Sequence, residues 1–307
     1  MRFAVYGRNI DNSNRSGIRL VFEHLAYRKD QVFVHESYRE LLEKNNIAFP
    51  PEAHFFNGVG DINPLPDFFI SLGGDGTLLG ALPFLYPYSV PVIAVNVGRL
   101  GYLTTTEVAG FEKLLRTLDM GQFVCEDRTL VEAFVSGQRV DSFGMGLNEI
   151  TVVKTDTSAM INIETYIDGH FFSDIWADGL VVSTPTGSTA YSLSCGGPVI
   201  TPVCPVLVMS PIAPHNLNVR PIVFSDDSTV RLIIHSRSNR FICSLDSRFV
   251  YLPVGTEIEI RKSAWTLKLV RESPGQHLET LRNKLLWGSD MRNRWKFHGK
   301  GPPATLE

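Results

Sequence analysis

Apolar and polar positions along the chain follow two regimes that meet near residue 122. In the first, short apolar runs alternate with segments whose apolar residues recur at helical intervals. Arg2 to Tyr6 reads as a strand closed by the polar turn Gly7-Arg8-Asn9, and Ile18 to Ala26 and Tyr38 to Asn45 have helical spacing. Phe68 to Leu72 and Pro91 to Asn96 are further strands, and Glu107 to Met120 predicts a helix with Phe111, Leu114, Leu115 and Leu118 on one side and Gly121 as its stop. This alternation predicts a parallel, Rossmann-like α/β domain over residues 1–122.

Beyond Gly121 the runs become short, β-rich and alternating: V-E-A-F-V, I-T-V-V-K, I-N-I-E-T-Y-I, V-R-L-I-I, F-I-C-S-L, T-E-I-E-I and W-T-L-K-L-V. Turn signals at Ser136-Gly137, Asp168-Gly169 and Pro253-Val254-Gly255 separate them, which predicts a largely antiparallel, β-rich domain over 123–274. The final run H-L-E-T-L-R-N-K-L-L-W predicts a helix ending at Gly288.

Composition narrows the function classes. The 307 residues suffice for one large or two moderate cores, and 44% hydrophobic with 20% charged residues is ordinary for a globular protein. A net charge of −3 gives no basic field toward nucleic acid or anionic membrane. The N-terminus turns polar too early for a signal peptide, and no apolar run is long enough for a membrane span, so a cytoplasmic protein is expected. Cys125, Cys195, Cys204 and Cys243 form no C-x-x-C pair and read as reduced structural thiols.

Three segments carry candidate chemistry. In F-F-I-S-L-G-G-D-G-T-L-L from Phe68, a strand runs into Gly73, Gly74, Asp75, Gly76 and Thr77 before a leucine-rich helix. Glycines let backbone approach a ligand, and amides at a helix start favour anions, so this loop suits phosphate. Asp75 is an acid at such a place, and it must serve a metal or a reacting hydroxyl, or else cap the helix. Asn148-Glu149, before the strand I-T-V-V-K, suits a nucleobase edge or paired ribose hydroxyls, or is a plain strand-edge turn. In A-D-G-L-V-V-S-T-P-T-G-S-T-A-Y-S-L-S-C-G-G-P-V-I-T from Ala177, clustered hydroxyls suit sugar or phosphate oxygens and Tyr191 suits a base; a polar connection capping a helix near Ala190 explains only part of it.

With these segments together, the chain resembles the NAD kinases, ATP-dependent enzymes that phosphorylate the adenosine ribose of NAD at its 2′ position. The likeness runs through G-G-D-G-T-L-L, N-V-G-R-L-G-Y-L from Asn96, L-N-E-I, Y-I-D-G from Tyr166, the hydroxyl-rich stretch, and S-P-I-A-P-H-N-L-N-V-R-P-I-V from Ser210. It implies Asp75 as the catalytic aspartate facing the 2′-hydroxyl, with Gly73, Gly74, Gly76 and Thr77 admitting the triphosphate of ATP and its Mg²⁺, and no fixed protein ligand for the metal. It also implies that Asp75 and Gly76 touch NAD, and that Asn148 and Glu149 hold a ribose and neighbouring groups. Asp178 would contact the nicotinamide side, and Thr189, Ala190, Tyr191, Ser192, Leu193 and Ser194 would line the adenine and ribose pocket. Ala213 and Arg248 align with further nucleotide-contacting positions, while His215 and Arg220 are equally readable as turn-stabilising groups.

The resemblance further implies an NAD-binding cleft between the two domains, residues 275–307 folding back onto the first, and a homodimer or homotetramer. Trp176 and Gly80 stand where relatives often carry a basic residue, and Arg248 where a neutral amide is frequent. A lipid or sugar kinase with the same loop, or a non-catalytic NAD(P) sensor, are the competing readings.

Overall fold

The computed structural model describes residues 1–98, 101–104, 106–156, 159–273 and 275–286. Arg99 and Leu100 of the N-V-G-R-L-G-Y-L motif, and residues 287–307 with the expected helix end at Gly288, lie outside the described residues.

Six strands, β1 (Arg2–Gly7), β2 (Gln31–His35), β3 (His54–Phe56), β4 (Phe68–Leu72), β5 (Val92–Asn96) and β6 (Thr106–Glu107), run parallel in the order β3-β2-β1-β4-β5-β6. Between them lie α1 (Arg15–Arg28), α2 (Glu36–Lys44) and α3 (Asp75–Leu85), followed by α4 (Phe111–Asp119). Alternate strand positions feed opposite faces. Phe3, Val5 and Ile70 meet Ile18, Phe22 and Leu25 of α1, Leu42 of α2 and Phe111, Leu114 and Leu115 of α4. Ala4, Phe69 and Val92 meet Leu78, Ala81 and Leu82 of α3. Both faces are covered, and β4 and β5 are therefore buried along their whole length.

Several boundaries differ from the expectation. The run expected to be helical from Glu107 starts as β6, whose Glu107 pairs with Asn96, and passes through a 3₁₀ turn at Val108–Gly110 before α4. Strands β2 (Q-V-F-V-H) and β3 (H-F-F), not among the expected strands, pair in parallel on β1 and β2 respectively.

The remaining elements are β7 (Val124–Val135), β8 (Gln138–Arg139), β9 (Met145–Gly146), β10 (Glu149–Lys154), β11 (Ile161–Ile167), β12 (His170–Ala177), β13 (Gly179–Ser183), α5 (Tyr191–Ser194), β14 (Val206–Ile212), β15 (Ile222–Ser225), β16 (Val230–His235), β17 (Arg240–Leu245), β18 (Arg248–Pro253), β19 (Glu257–Arg271) and α6 (Gln276–Leu285). Six of them form an antiparallel sheet ordered β15-β14-β13-β10-β17-β18. Its apolar face, with Ile150, Val152, Leu180, Val182, Phe241 and Cys243, packs against Val131, Ile163, Leu232, Ile234, Ile258 and Ile260 of the facing sheet. Asp168 (φ 51°) and Gly169 (φ 79°) make the tight turn of the β11–β12 hairpin, as the Y-I-D-G signal predicts. All four cysteines are free thiols.

Strand β19 joins the two halves. Val230 to Ile233 of β16 pair with its first residues, β7 runs antiparallel along most of its length, and Leu269 pairs in parallel with Val92 of β5. One continuous sheet therefore spans the Rossmann-like layer and the β-rich layer.

Because Phe111 is fully buried where α4 meets the sheet, Phe111→Ala is expected to cost about 3–5 kcal/mol in urea unfolding. A loss below about 1 kcal/mol would mean that α4 is not a load on this core.

Candidate active site

The glycine loop leaves the carboxyl end of β4, where open α/β sheets bind ligands. A Cβ at Gly73 would lie 2.1 Å from Thr77 Oγ1, so only glycine lets the first turn of α3 close there. At Gly74 and Gly76 a Cβ would meet nothing within 4 Å, so the backbone at the start of α3 stands open to a ligand. Gly7 of β1 pairs with Leu72, which sets the exposed Arg8 beside Gly73. The amides at the start of α3 make this edge favourable for phosphate.

Asp75 is the first residue of α3, and it does not cap it: the N-cap is Gly74, with no side-chain cap bond. The carboxylate instead reaches the segment that follows β5. Its Oδ2 accepts from the Tyr102 amide at 2.7 Å, and its Oδ1 from the amides of Leu103 and Thr104 at 3.1 and 3.0 Å and from the Thr104 hydroxyl at 2.9 Å. A Cβ at Gly101 would sit 1.9 Å from Oδ1, so glycine there is what allows this close approach.

Asn148 and Glu149 are fixed through backbone. Asp246 accepts from the amides of Leu147, Asn148 and Glu149 at 2.8, 2.8 and 3.2 Å. Thr184 ties the hydroxyl-rich stretch to the same place: its hydroxyl donates to Leu147 O at 2.6 Å and its amide to Asn148 O at 2.9 Å. A Cβ at Gly187 would lie 1.9 Å from Asn148 O, so that glycine is a condition of the contact. The Glu149 carboxyl is buried, its Oε2 has no hydrogen-bond partner, and its pKa is pushed up to about 8 by burial, with the Asp246 charge adding to the effect and the Tyr191 amide opposing it.

The hydroxyl-rich stretch divides into structural and presented groups. The Ser188 hydroxyl donates to Pro185 O at 2.7 Å and accepts from the Ile200 amide at 2.9 Å; Ser192 is buried against Ser210 at 2.9 Å. Tyr191 and Ser194 are exposed, and Thr189, Ala190 and Leu193 are half-buried. The N-cap of α5 is Ala190, without a side-chain cap bond, so the clustered hydroxyls do not serve as its cap. Thr186 and Thr189 line one cavity together with Tyr102 and Leu103, which connects this stretch to the segment clasping Asp75.

The other candidates lie around this centre. Asp178 pairs with Lys154, and its amide donates to Ile212 O at 2.9 Å, beside the exposed Ala213 (φ 45°). His215 donates its amide to Trp176 O at 2.8 Å, while Arg220 bonds carbonyls of its own loop. Arg248 is directed to the 141–145 segment, with Nε donating to Asp141 at 3.0 Å and Nη2 to Met145 O at 2.6 Å.

Sequence reasoning missed three groups: Asp246, Thr104 and a buried cluster at the end of β19. In the last, Glu126 pairs with Arg128 and with Arg271 Nε at 3.2 Å, and Arg271 Nη1 donates to Leu103 O at 3.1 Å. Burial, with the Arg128 charge, pushes Arg271 down to about 10. Asp246 had one available signal, an acid in the turn of L-D-S-R between two strands.

Comparison with known proteins bears on the whole chain. Residues 61–123 match the family model of the ATP-NAD kinase N-terminal domain, and residues 147–272 that of the ATP-NAD kinase C-terminal domain. The NAD kinase of Cytophaga hutchinsonii is 37% identical over 293 residues, covering 95% of this chain and 100% of the relative. That of Flavobacterium psychrophilum is 38% identical over 296 residues, with the same coverage. Among solved structures, yeast NADH kinase complexed with NADH superposes with a TM-score of 0.83 at 26% identity, covering 95% of this chain and 89% of that one. An NAD kinase from Archaeoglobus fulgidus in complex with ATP gives 0.71 at 27% identity, covering 93% and 99%.

The buried Glu149 carboxyl yields a pH-dependent expectation. Unfolded, it ionises near the ordinary value of about 4.3; folded, it holds its proton up to about 8. Between these values the folded state binds more protons, so the contribution of this group to stability falls as pH rises. Glu149→Gln removes that loss, and its stability in urea relative to the parent is expected to rise between pH 5 and pH 9, by on the order of 2–4 kcal/mol. A stability difference that stays constant with pH would show an ordinary carboxylate at this position.

Proposed function

Because this chain belongs to the NAD kinase family and transfers a phosphoryl group from ATP to NAD, we propose that the acceptor is the 2′-hydroxyl of the adenosine ribose and that Asp75 takes its proton. The single observation that carries this assignment is the placement of an Asp75 carboxylate, oriented by four hydrogen bonds, beside the open backbone of Gly74 and Gly76. A carboxylate is too weak a base to strip a ribose hydroxyl in advance. In a loose phosphoryl-transfer transition state it need only orient the hydroxyl and accept the proton late.

The donor phosphates would lie over Gly73, Gly74, Gly76 and Thr77, at the amides of α3. Of these amides, Gly73 already donates to Val95 O and Thr77 to Gly74 O, so the uncrowded backbone at Gly74 and Gly76 would meet the phosphate oxygens; the Asp75 oxygens already accept hydrogen bonds, which fits a Mg²⁺ that arrives with ATP. Such an ion supplies charge neutralisation on the transferring phosphates. Asn148 and Glu149 would hold a ribose; the unpartnered Glu149 Oε2 is suited to a ligand hydroxyl. Tyr191 is exposed enough to meet a base, with Thr189, Ala190, Leu193 and Ser194 beside it, while Ser192 supports α5 through Ser210. Asp178 and Ala213 would serve the nicotinamide side, and Arg248 would support the 141–145 segment.

We place the domain boundary at residue 122, with 123–274 as the NAD-binding domain and 275–307 returning to the first. A cytoplasmic homo-oligomer is the expected setting; exposed Phe171, Phe172 and Trp176 on edge strand β12 support self-association.

Purified protein given Mg-ATP and NAD is expected to form NADP, read with an NADP-specific dehydrogenase. Asp75→Asn should lower kcat by about 10²–10⁴-fold while NAD affinity changes little. Near-normal turnover in that variant would remove Asp75 from the base role.

A further inference from the structure

The bond from Thr104 to Asp75 has a fixed direction, and its cause lies one residue behind it. Asn96 Oδ1 accepts the Gly98 amide at 2.8 Å, which turns the Asn96 nitrogen toward Thr104, and Nδ2 donates to Thr104 Oγ1 at 3.1 Å. A hydroxyl carries one proton. With Oγ1 receiving from Asn96, that proton is delivered to Asp75 Oδ1 at 2.9 Å. Asn96 is 5% exposed and Thr104 is 0% exposed, so bulk water does not compete for either bond.

The two oxygens of Asp75 are therefore unequal. Oδ1 accepts three donors, the Leu103 and Thr104 amides and the Thr104 hydroxyl; among the described residues Oδ2 accepts one, the Tyr102 amide. An ionised carboxylate offers about two acceptor positions per oxygen, so Oδ1 is filled and Oδ2 retains one.

We propose that Thr104, backed by Asn96, is a positioning residue for phosphoryl transfer: it occupies Oδ1, locks the carboxylate plane and selects Oδ2 as the oxygen that receives the acceptor proton. The inference rests on Asp75 as the base. In the step itself the ribose oxygen bonds to the γ-phosphorus of ATP and the bond from that phosphorus to the bridging oxygen breaks, so ADP leaves with its electron pair. The hydroxyl proton passes to Oδ2 and later to solvent.

The test uses steady-state kinetics of the full chain with varied NAD and Mg-ATP. Thr104→Val keeps the shape and removes the donor; it is expected to lower kcat at least about tenfold, with KM for both substrates within about threefold of the parent. Thr104→Ser restores the hydroxyl and should recover most of kcat. Asn96→Ala should lower kcat in the parent and lower it by clearly less in the Thr104→Val background, because the share of its effect that runs through that hydroxyl is already gone. Parent-like kcat in Thr104→Val, failure of Thr104→Ser to recover it, or additive losses would each overturn the proposal. If Thr104→Val does not fold, as judged by its thermal transition, the Ser and Asn96→Ala variants decide alone: Ser near parent with Asn96→Ala reduced supports the proposal, and any other pair rejects it. Failure of the parent to form NADP, or full turnover in Asp75→Asn, would instead strike the function or the base assignment.

Discussion

The site depends on one shared strand. β19 is paired in the β-rich layer through β16 and β7, and it reaches β5 of the Rossmann-like layer at Leu269. Two residues later Arg271 donates to the carbonyl of Leu103, whose own amide donates to Asp75. The segment clasping Asp75 is thus tied to the β-rich layer by covalent chain and sheet hydrogen bonds. Burying Arg271 is costly, and Glu126 together with the Leu103 carbonyl offsets that cost.

Asp75 and Glu149 show how one functional group acquires two characters. Asp75 sits among four donors, so its geometry is settled before any ligand arrives. Glu149 is buried with one oxygen lacking a partner and with a neighbouring acid in Asp246, so its charged form is disfavoured. The first arrangement suits a group that must receive a proton in a defined direction. The second suits a group completed by what it binds.

Much of this was legible in the sequence where side-chain type and spacing carry the information. Phe111, Leu114, Leu115 and Leu118 announced the buried side of α4, and Gly74 and Gly76 on either side of Asp75 announced an approachable backbone. The Y-I-D-G turn and the strands of the β-rich half were readable for the same reason. What was hidden depends on backbone groups that every residue possesses. The donors on Asp75 come mainly from amides at positions 102–104, and nothing in the identity of Tyr102 or Leu103 reports that role. Asp246 escaped notice because its partners lie about a hundred positions away along the chain, at Leu147 to Glu149. The start of α4 falls later than the helical spacing from Glu107 predicts because pairing of Glu107 with Asn96 overrides the local pattern.

The position of β19 in the chain also orders events in time. During synthesis, the glycine loop, Asp75, Tyr102 to Thr104 and the hydroxyl-rich stretch all emerge before β19. Until residue 271 has left the ribosome, the Leu103 carbonyl has no arginine to meet, and the Val92 end of β5 lacks its partner from β19. Contacts of such long sequence separation form late and exact a large loop-closure entropy. A nascent chain that already contains every strand of the Rossmann-like layer therefore still lacks the arginine contact behind Leu103 until its last long strand has been made.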